Sequence, residues 1–145
     1  MIKKATITDS RSVAELAKLL WSHHEIDELD EEFKLVISSE NAACFIYYDE
    51  AMPVGFAQCE LRRDYVEGTE SSPVGYLEGI YVKTEYRMKG IAKKLLQHSE
   101  QWAKTLGCSE FASDCELNNN QSLKFHLKAG FEEANRIICF TKRLS

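Results

Sequence analysis

The stretch that most constrains this chain is an apolar segment that runs through a short charged bend into a helix. The apolar part is residues 76–82 (YLEGIYV), and the helix opens at residues 87–92 (RMKGIA). Backbone N–H groups at the start of a helix that follows a strand are well placed to bind phosphate groups. Arg87 can add a charge-assisted contact to a phosphate, and Gly90 lets a ligand approach the backbone closely because it has no Cβ. This stretch therefore predicts a cofactor that carries a diphosphate.

Two common phosphate-binding motifs are absent. No G-x-x-x-x-G-K-[ST] occurs anywhere in the chain. Nor does the loop match G-x-G-x-x-G, which follows an early strand and has an acidic residue about 20 positions later. By itself, the loop could also be the ordinary basic start of a helix, so its meaning depends on the rest of the sequence.

Length and charge narrow the class of protein. With 145 residues, of which 44% are hydrophobic, the chain can form a real core, and we expect one domain over residues 1–145. The net charge is −5 and there is no long lysine or arginine run, so we expect no nucleic-acid partner. An acidic balance suits a cationic ligand, although solvated surface carboxylates would produce the same balance.

The sequence gives no sign of a membrane, disulfide or metal requirement. No apolar run approaches the ~20 residues of a membrane helix, and the N-terminus lacks a signal-peptide core, so we expect a cytoplasmic protein that does not bind a membrane. The five cysteines are scattered without a C-x-x-C pair, which indicates reduced and mostly buried thiols. His23 and His24 precede Asp27 without a second ligand group, so we expect no metal.

Hydrophobic periodicity and turn residues predict an α/β domain in the order β-α-α-β-β-β-α-β-α-β. The predicted strands are residues 2–7, 42–48, 53–61, 74–82, 110–114 and 136–143. Four helices are predicted. The first runs from about residue 10 to 21, and the second follows an acidic stretch and ends near residue 38. The third begins at the loop 87–92 and ends at Gly107, and the fourth covers residues 122–128.

Glu78 is the one charged residue in the apolar strand at residues 76–82. Regular alternation along a strand places it on the same face as the apolar Tyr76, Ile80 and Val82. A carboxylate among such neighbours costs free energy unless it is paired, which indicates a functional role. The alternative is a structural glutamate at the sheet surface, or one that forms a salt bridge with Arg62 or Arg63.

Asp114 is the second candidate carboxylate. It closes the predicted strand at residues 110–114, at the carboxyl end where open α/β sheets bind ligands. Aspartate also commonly ends strands and begins turns, so the residue alone does not decide between the two roles.

The loop at residues 87–92 resembles the R-x-x-G-x-A loop of the GNAT N-acetyltransferases, which holds the pyrophosphate of acetyl-coenzyme A, and the predicted element order is that of their fold. The resemblance implies an acyl-CoA N-acyltransferase fold: a mixed central sheet flanked by helices and splayed between its fourth and fifth strands. In that family the gap between these two strands admits the pantetheine arm.

Three further segments resemble one group within that family, the aminoglycoside 6'-N-acetyltransferases. They are residues 20–22 (LWS), 65–82 (YVEGTESSPVGYLEGIYV) and 111–114 (FASD). The resemblance implies transfer of acetyl to the 6'-amine of these antibiotics, and hence antibiotic resistance, with Glu78 and Asp114 as catalytic residues. The implied substrate-binding residues are Trp21, His24, Tyr65, Glu78, Asp114 and Asn135. The implied cofactor-binding residues are Ile80, Tyr81, Val82, Arg87, Met88, Lys89, Gly90, Ile91, Ala92 and Asn119.

Several points stay open at this stage. Trp21 could instead be a core residue that closes the first helix. His126 stands where many family members carry a tyrosine that protonates the leaving thiolate; a histidine can donate a proton near neutral pH, or it can simply pack. An acidic residue is more usual at the position of Asn135. The final strand, with its apolar Ile137 and Phe140, predicts a homodimer.

Two other functions fit the same residues. The acceptor could be a polyamine or a protein amine, because carboxylates would bind either. The chain could also be a CoA-binding module without turnover, although the pair Glu78 and Asp114 argues against this. No cysteine stands beside a plausible base, so we expect direct transfer in a ternary complex and no covalent acyl-enzyme.

Overall fold

A five-stranded mixed sheet forms the centre of the protein in a computed structural model that describes all 145 residues. Its strands are β1 (Ile2–Lys4), β2 (Ala42–Asp49), β3 (Met52–Arg62), β4 (Val74–Val82) and β5 (Phe111–Ser113). Its helices are α1 (Ser10–Leu20), α2 (Ile26–Ser38), α3 (Ile91–Thr105) and α4 (Asn120–Lys128). The strands lie in the order β1-β2-β3-β4-β5, with β1 to β4 antiparallel and β5 parallel to β4. The parallel pair requires a crossover connection, which α3 provides.

Helices cover both faces of the sheet. On one face, α1 and α2 bury Leu16, Leu29 and Phe33 against Phe56 of β3. On the other face, Leu95 and Leu96 of α3 pack against β3 and β4. Three of the five cysteines are buried and all five are free thiols, as the sequence predicts. No helix has both the length and the apolar character that crossing a bilayer requires.

The strand β4 contains a bulge at Glu78, and this changes which side chains share a face. Gln58 pairs with Gly79 and Cys59 pairs with Leu77, so Glu78 is an extra residue without a partner on β3. Leu77 and Ile80, three residues apart, both pack on the α3 side, whereas Glu78 and Gly79 both face α1 and α2. The prediction that Glu78 shares a face with Ile80 and Val82 is therefore wrong, because a bulge reverses the alternation of the residues beyond it.

The sheet opens between β4 and β5. Only Gly75, Tyr76 and Leu77 pair with β5, so residues 78–82 have no strand partner on that side. The predicted splay between the fourth and fifth strands is thus confirmed. Beyond this gap lie the start of α3 and the residues after β5.

The predicted strand at residues 136–143 is wrong for the single chain. Residues 131–145 form neither helix nor strand, and all of them beyond Phe131 are exposed. A strand exists only when a neighbour supplies its hydrogen bonds, and β5, with three residues, remains the edge of the sheet. The first strand is also shorter than predicted, because a 3-10 turn at Ile7–Asp9 follows it.

Candidate active site

A cleft of about 280 Å³ lies between α2 and the face of the sheet that carries Glu78. Eight residues from α2, β3, β4 and the end of α1 line it: Trp21, His24, Leu29, Glu32, Phe33, Val36, Gln58 and Glu78. One wall is apolar, and the other presents carboxylate and amide groups. This combination suits a ligand that is both cationic and rich in ring surface.

Glu78 forms a two-pronged ion pair with Arg62. Arg62 Nη2 lies 2.9 Å from Glu78 Oε2 and 3.0 Å from Oε1, and Arg62 Nε lies 3.2 Å from Oε2. Glu60 is nearby as well, with its Oε1 3.7 Å from Arg62 Nε. The salt bridge to Arg62, one of the sequence alternatives for Glu78, is thus present, and it coexists with the position of Glu78 in the cleft.

The environment of Glu78 suits a group that accepts protons near neutral pH. Only 20% of its side chain is exposed. Burial and then a hydrogen bond with the Glu60 carboxyl group raise the pKa of Glu78 to about 7, although Arg62 acts against the rise by stabilising the charged form. A carboxylate in this range is a suitable general base.

Asp114 follows β5 and is joined to Glu78 through Tyr76 and Arg62. The Tyr76 hydroxyl donates a hydrogen bond of 2.5 Å to Asp114 Oδ2. The Arg62 guanidinium carbon lies 3.5 Å from the centre of the Tyr76 ring. Burial and the bond to Asp114 raise the pKa of the Tyr76 phenol, so it stays a donor. The two predicted catalytic carboxylates are therefore brought to the same side of the sheet.

Trp21 packs in the core and also lines the cleft, so its position is compatible with both of the roles that the sequence left open. Its ring packs edge-on against Phe56, with 6.1 Å between centroids, and it also lines the cleft. A Cβ at Gly79 would lie 2.7 Å from the Trp21 ring, so only glycine fits there. Trp21 is thus held by the core while one face of it remains available to a ligand.

His24 lies at the edge of the cleft, next to two acidic side chains of α2. Its Nδ1 is 2.7 Å from Glu28 Oε1, and the ligand atoms of His24, Glu28 and Glu32 all lie within 4.8 Å of one another. The sequence found no second ligand group for a metal, whereas the fold brings two glutamates to His24. Exposed acidic groups commonly cluster without an ion, so the absence of a metal stays a prediction.

Backbone groups form the other predicted binding region, at the start of α3. Gly90 caps this helix with φ of +78°, and no side chain occupies the cap. The N–H groups of Ile91, Ala92 and Lys93 have no intrahelical acceptor, because the first helical bond runs from Lys94 to Gly90. Met88 has a fully exposed side chain. The geometry fits a phosphate held by main-chain donors.

The end of β4 directs main-chain groups into the gap. The Lys83 N–H donates to Val54 O at 2.9 Å, so Val82, one residue earlier, turns its N–H and C=O away from β3. Arg87 Nε donates to this Val82 carbonyl at 2.8 Å, and its guanidinium lies 5.3 Å from the Tyr81 ring. The N–H of Val82 is left facing the gap, as an oxyanion donor requires.

The start of α4 lies beyond the gap. Asn119 caps this helix through a hydrogen bond of 3.0 Å from the Ser122 N–H to its Oδ1. His126 contacts Ser113 Oγ at 2.8 Å and the Ser122 carbonyl at 2.7 Å, so both ring nitrogens have partners within the fold. These contacts favour the packing role of His126 over proton donation.

Three predicted substrate residues do not line the cleft in the single chain: Asp114, which Tyr76 links to its edge, and Tyr65 and Asn135, which lie outside it. Tyr65 is 77% exposed in the loop between β3 and β4, which is anchored by Val66 packing near Tyr76. Asn135 Nδ2 donates to Glu67 Oε1 of the same loop at 3.3 Å. Their roles in substrate binding stay predictions.

The sequence reasoning named Arg62 as a possible partner of Glu78 but missed the polar row of β3 to which it belongs. Gln58, Glu60 and Arg62 alternate along this strand and face the same side as Glu78. The sequence does contain a signal for this row, because polar residues at every second position mark one exposed face of a strand. Glu32 was missed for another reason: only the packing of α2 against the sheet brings it to the cleft.

Comparison with known proteins gives a consistent result. Residues 12–131 match the family model described as "Acetyltransferase (GNAT) family". An aminoglycoside N(6')-acetyltransferase type 1 from Acinetobacter genomosp. 13 is 41% identical over 129 residues, which cover 89% of this chain and 88% of the relative. A protein of the same description from Acinetobacter haemolyticus is 37% identical over 143 residues, covering 99% and 98%.

Solved structures are similar over nearly the whole chain. The aminoglycoside N-acetyltransferase AAC(6')-Iy in complex with CoA superposes with a TM-score of 0.95 at 36% identity, covering 99% of this chain and 94% of that one. AAC(6')-Iy in complex with the bisubstrate analogue CoA-S-monomethyl-acetylneamine superposes with a TM-score of 0.94 at 36% identity, covering 99% and 97%.

Proposed function

Because the chain belongs to the acetyltransferase (GNAT) family, we propose that it transfers acetyl from acetyl-CoA to the 6'-amine of aminoglycosides, and thereby gives antibiotic resistance. Its similar relatives are described as aminoglycoside N(6')-acetyltransferases, and the solved relative AAC(6')-Iy binds CoA in one structure and a CoA–acetylneamine analogue in another. We propose that residues 1–145 act as one catalytic domain.

The observation that carries this proposal is the position of Glu78. Its carboxylate lies in an aromatic, acidic cleft, on strand β4. The carboxyl end of this strand borders the gap and is followed by the turn that opens α3. An amine held at Glu78 and a thioester held along β4 would therefore meet beside a single strand. A pKa of about 7 allows Glu78 to accept a proton at physiological pH.

The reaction follows from these groups. Glu78 accepts a proton from the substrate ammonium, and the freed amine attacks the thioester carbon. The carbonyl oxygen becomes an oxyanion, to which the Val82 N–H donates a hydrogen bond. The nitrogen of this intermediate loses its second proton to solvent, and collapse then breaks the carbon–sulfur bond, leaving the neutral amide and releasing CoA as a thiolate, which takes its proton from solvent. Direct attack requires both substrates to be bound at once.

The remaining predicted residues divide between the two substrates. For acetyl-CoA we assign the main chain of β4 and the turn that opens α3, with Asn119 on the far side of the gap: Ile80, Tyr81, Val82, Arg87, Met88, Lys89, Gly90, Ile91, Ala92 and Asn119. For the antibiotic we assign Trp21 as a flat surface under a sugar ring and Asp114 as a second partner for its ammonium groups. His24 lies at the same edge, and Tyr65 and Asn135 complete the set.

The experiment that tests this function measures CoA release by the purified protein with acetyl-CoA and two matched aminoglycosides. One carries a 6'-amine and the other a 6'-hydroxyl, and spermidine serves as the polyamine control. We expect turnover with the 6'-amine compound alone. Turnover with spermidine alone, or with none of the three, would contradict the antibiotic assignment.

We also propose a homodimer in which the C-terminal segment contacts a second copy. Its apolar side chains are uncovered in the single chain, with Ile137, Ile138, Phe140 and Leu144 exposed by 71, 77, 87 and 89%. The free edge of β5 offers unpaired backbone groups to such a segment. A second copy that pairs there would remove both apolar side chains and unpaired backbone from water.

Light scattering of the purified chain tests this assembly. We expect twice the monomer mass for the wild-type protein and the monomer mass for Phe140→Asp, which places a charge in the proposed contact. Lys142→Gln changes an exposed polar residue of the same segment and serves as the control that stays dimeric. A monomeric wild-type protein would contradict the proposal.

A further inference from the structure

Arg62 contacts Glu78 more closely than any other charged group does. Three short hydrogen bonds join the two side chains, over distances of 2.9 to 3.2 Å. The pair is also shielded, since only 39% of the Arg62 side chain and 20% of the Glu78 side chain are exposed. A two-pronged pair fixes the plane of the carboxylate as well as its charge.

Arg62 is itself held in place from a second direction. Its guanidinium stacks 3.5 Å above the Tyr76 ring. The Tyr76 hydroxyl is anchored by its hydrogen bond to Asp114. The guanidinium therefore cannot swing away from Glu78 without losing a cation–π contact, and these contacts are in place without a substrate.

We propose that Arg62 is a positioning residue that acts through Glu78: its guanidinium fixes the orientation of the carboxylate and favours its charged form in the cleft. The proposal relies on the proposed function only for the role of Glu78 as the base. Arginine stays protonated at all working pH values, so Arg62 cannot itself exchange the proton of the reaction. Arg62 instead changes the pH range in which Glu78 accepts a proton.

Glu60 opposes Arg62, which makes the proposal testable in two directions. The Glu60 carboxyl group shares Arg62 with Glu78 and raises the pKa of Glu78, whereas Arg62 lowers it. The titratable and charged groups around Glu78 come from five parts of the chain. They are Glu60 and Arg62 of β3, Tyr76 of β4 with Asp114 behind it, Glu32 of α2, and His24 before that helix.

The test follows the titration of Glu78 by carboxyl-carbon NMR in the unliganded protein. Arg62→Met keeps the length of the side chain without its charge, and we expect the Glu78 midpoint to rise by about one pH unit. Arg62→Lys keeps the charge without the planar fork, so a smaller rise is expected. Glu60→Gln removes the opposing carboxyl group and should lower the midpoint. Arg63→Met is the matched control, because Arg63 contacts Asn41 and not Glu78; its midpoint should equal that of the wild type.

The pH profile of kcat/KM provides the catalytic readout. For Arg62→Met we expect a loss of about fivefold at pH 7 that is largely recovered at pH 9, since a one-unit rise only delays ionisation of the base. A purely structural role would reduce activity by the same factor at every pH, and that result would overturn the proposal. So would an unmoved Glu78 midpoint in folded Arg62→Met.

Two features of these experiments distinguish a failure of the Arg62 proposal from a variant that does not fold and from a failure of the proposed function. If Arg62→Met does not fold, Arg62→Lys still decides, because a Glu78 midpoint that stays fixed or falls in this variant contradicts the role of the planar fork. The NMR titration needs no substrate. A wild-type protein that turns over no aminoglycoside would therefore overturn the proposed function while leaving the titration result intact.

Discussion

The two regions of β4 that we assign to binding, around Glu78 and at the carboxyl end of the strand, offer a ligand different groups. At Glu78, side chains form a fixed network in which Arg62, Tyr76 and Asp114 hold one another through short hydrogen bonds and ring stacking. At the far end, the turn into α3 offers main-chain N–H groups, and Met88 points wholly into solvent. In the proposed function, recognition of the acceptor thus depends on residue types, whereas recognition of the cofactor depends on backbone conformation. Substitutions should separate the two.

The largest effect is expected from Glu78→Gln, which removes the base but retains a hydrogen-bonding group for Arg62. We expect kcat to fall by about 100-fold or more, within the range that general-base catalysis contributes. Binding of CoA, measured by calorimetry, should change less than about twofold, because the backbone at α3 is untouched. A kcat within about threefold of the wild type would remove Glu78 as the base.

An intermediate effect is expected from Gly90→Ala, which tests the backbone end. An added Cβ meets no atom within 4 Å, so crowding is not the issue, but φ of +78° disfavours any residue with a side chain. The strain costs about 1–2 kcal/mol, which corresponds to an increase of about tenfold in the KM for acetyl-CoA if the turn relaxes. The KM for the aminoglycoside should stay constant. Equal changes in both constants would contradict the division between the two ends.

The smallest effect is expected from Tyr76→Phe, which keeps the ring under Arg62 and removes only the donor to Asp114. A hydrogen bond to a charged group contributes about 1.5–3 kcal/mol, less where solvent can replace it. We therefore expect the KM for the aminoglycoside to rise by about fivefold with little change in kcat. An unchanged KM would show that Asp114 binds its ligand without help from Tyr76.

The sequence predicted those parts of the fold that depend on local pattern. The strand β4, the loop at residues 87–92 and the helix α3 follow from an apolar run, a glycine and a 3.6-residue period, and all three are present. The position of Glu78 in this strand was enough to single it out. The splay beside it came from the family resemblance and is confirmed by the short β5.

What the sequence did not predict depends on pairing between distant residues. The bulge at Glu78 arises from its register with Gln58 and Cys59, which no local pattern specifies. The same holds for the stack of Arg62 on Tyr76. The strand expected at residues 136–143 failed for the converse reason: its composition favours a strand, but within one chain it has no partner.

The most direct test of the account is the pH dependence of kcat/KM for a 6'-amino aminoglycoside in the wild type and in Glu78→Gln. The pKa of Glu78, raised to about 7 by burial and by Glu60, means that the base is protonated below this pH and ionised above it. Activity of the wild type should therefore fall about tenfold per pH unit on the acid side of pH 7, and the residual activity of Glu78→Gln should lack this dependence. The same acid-side fall in both proteins would contradict the assignment of Glu78 as the group that accepts the proton.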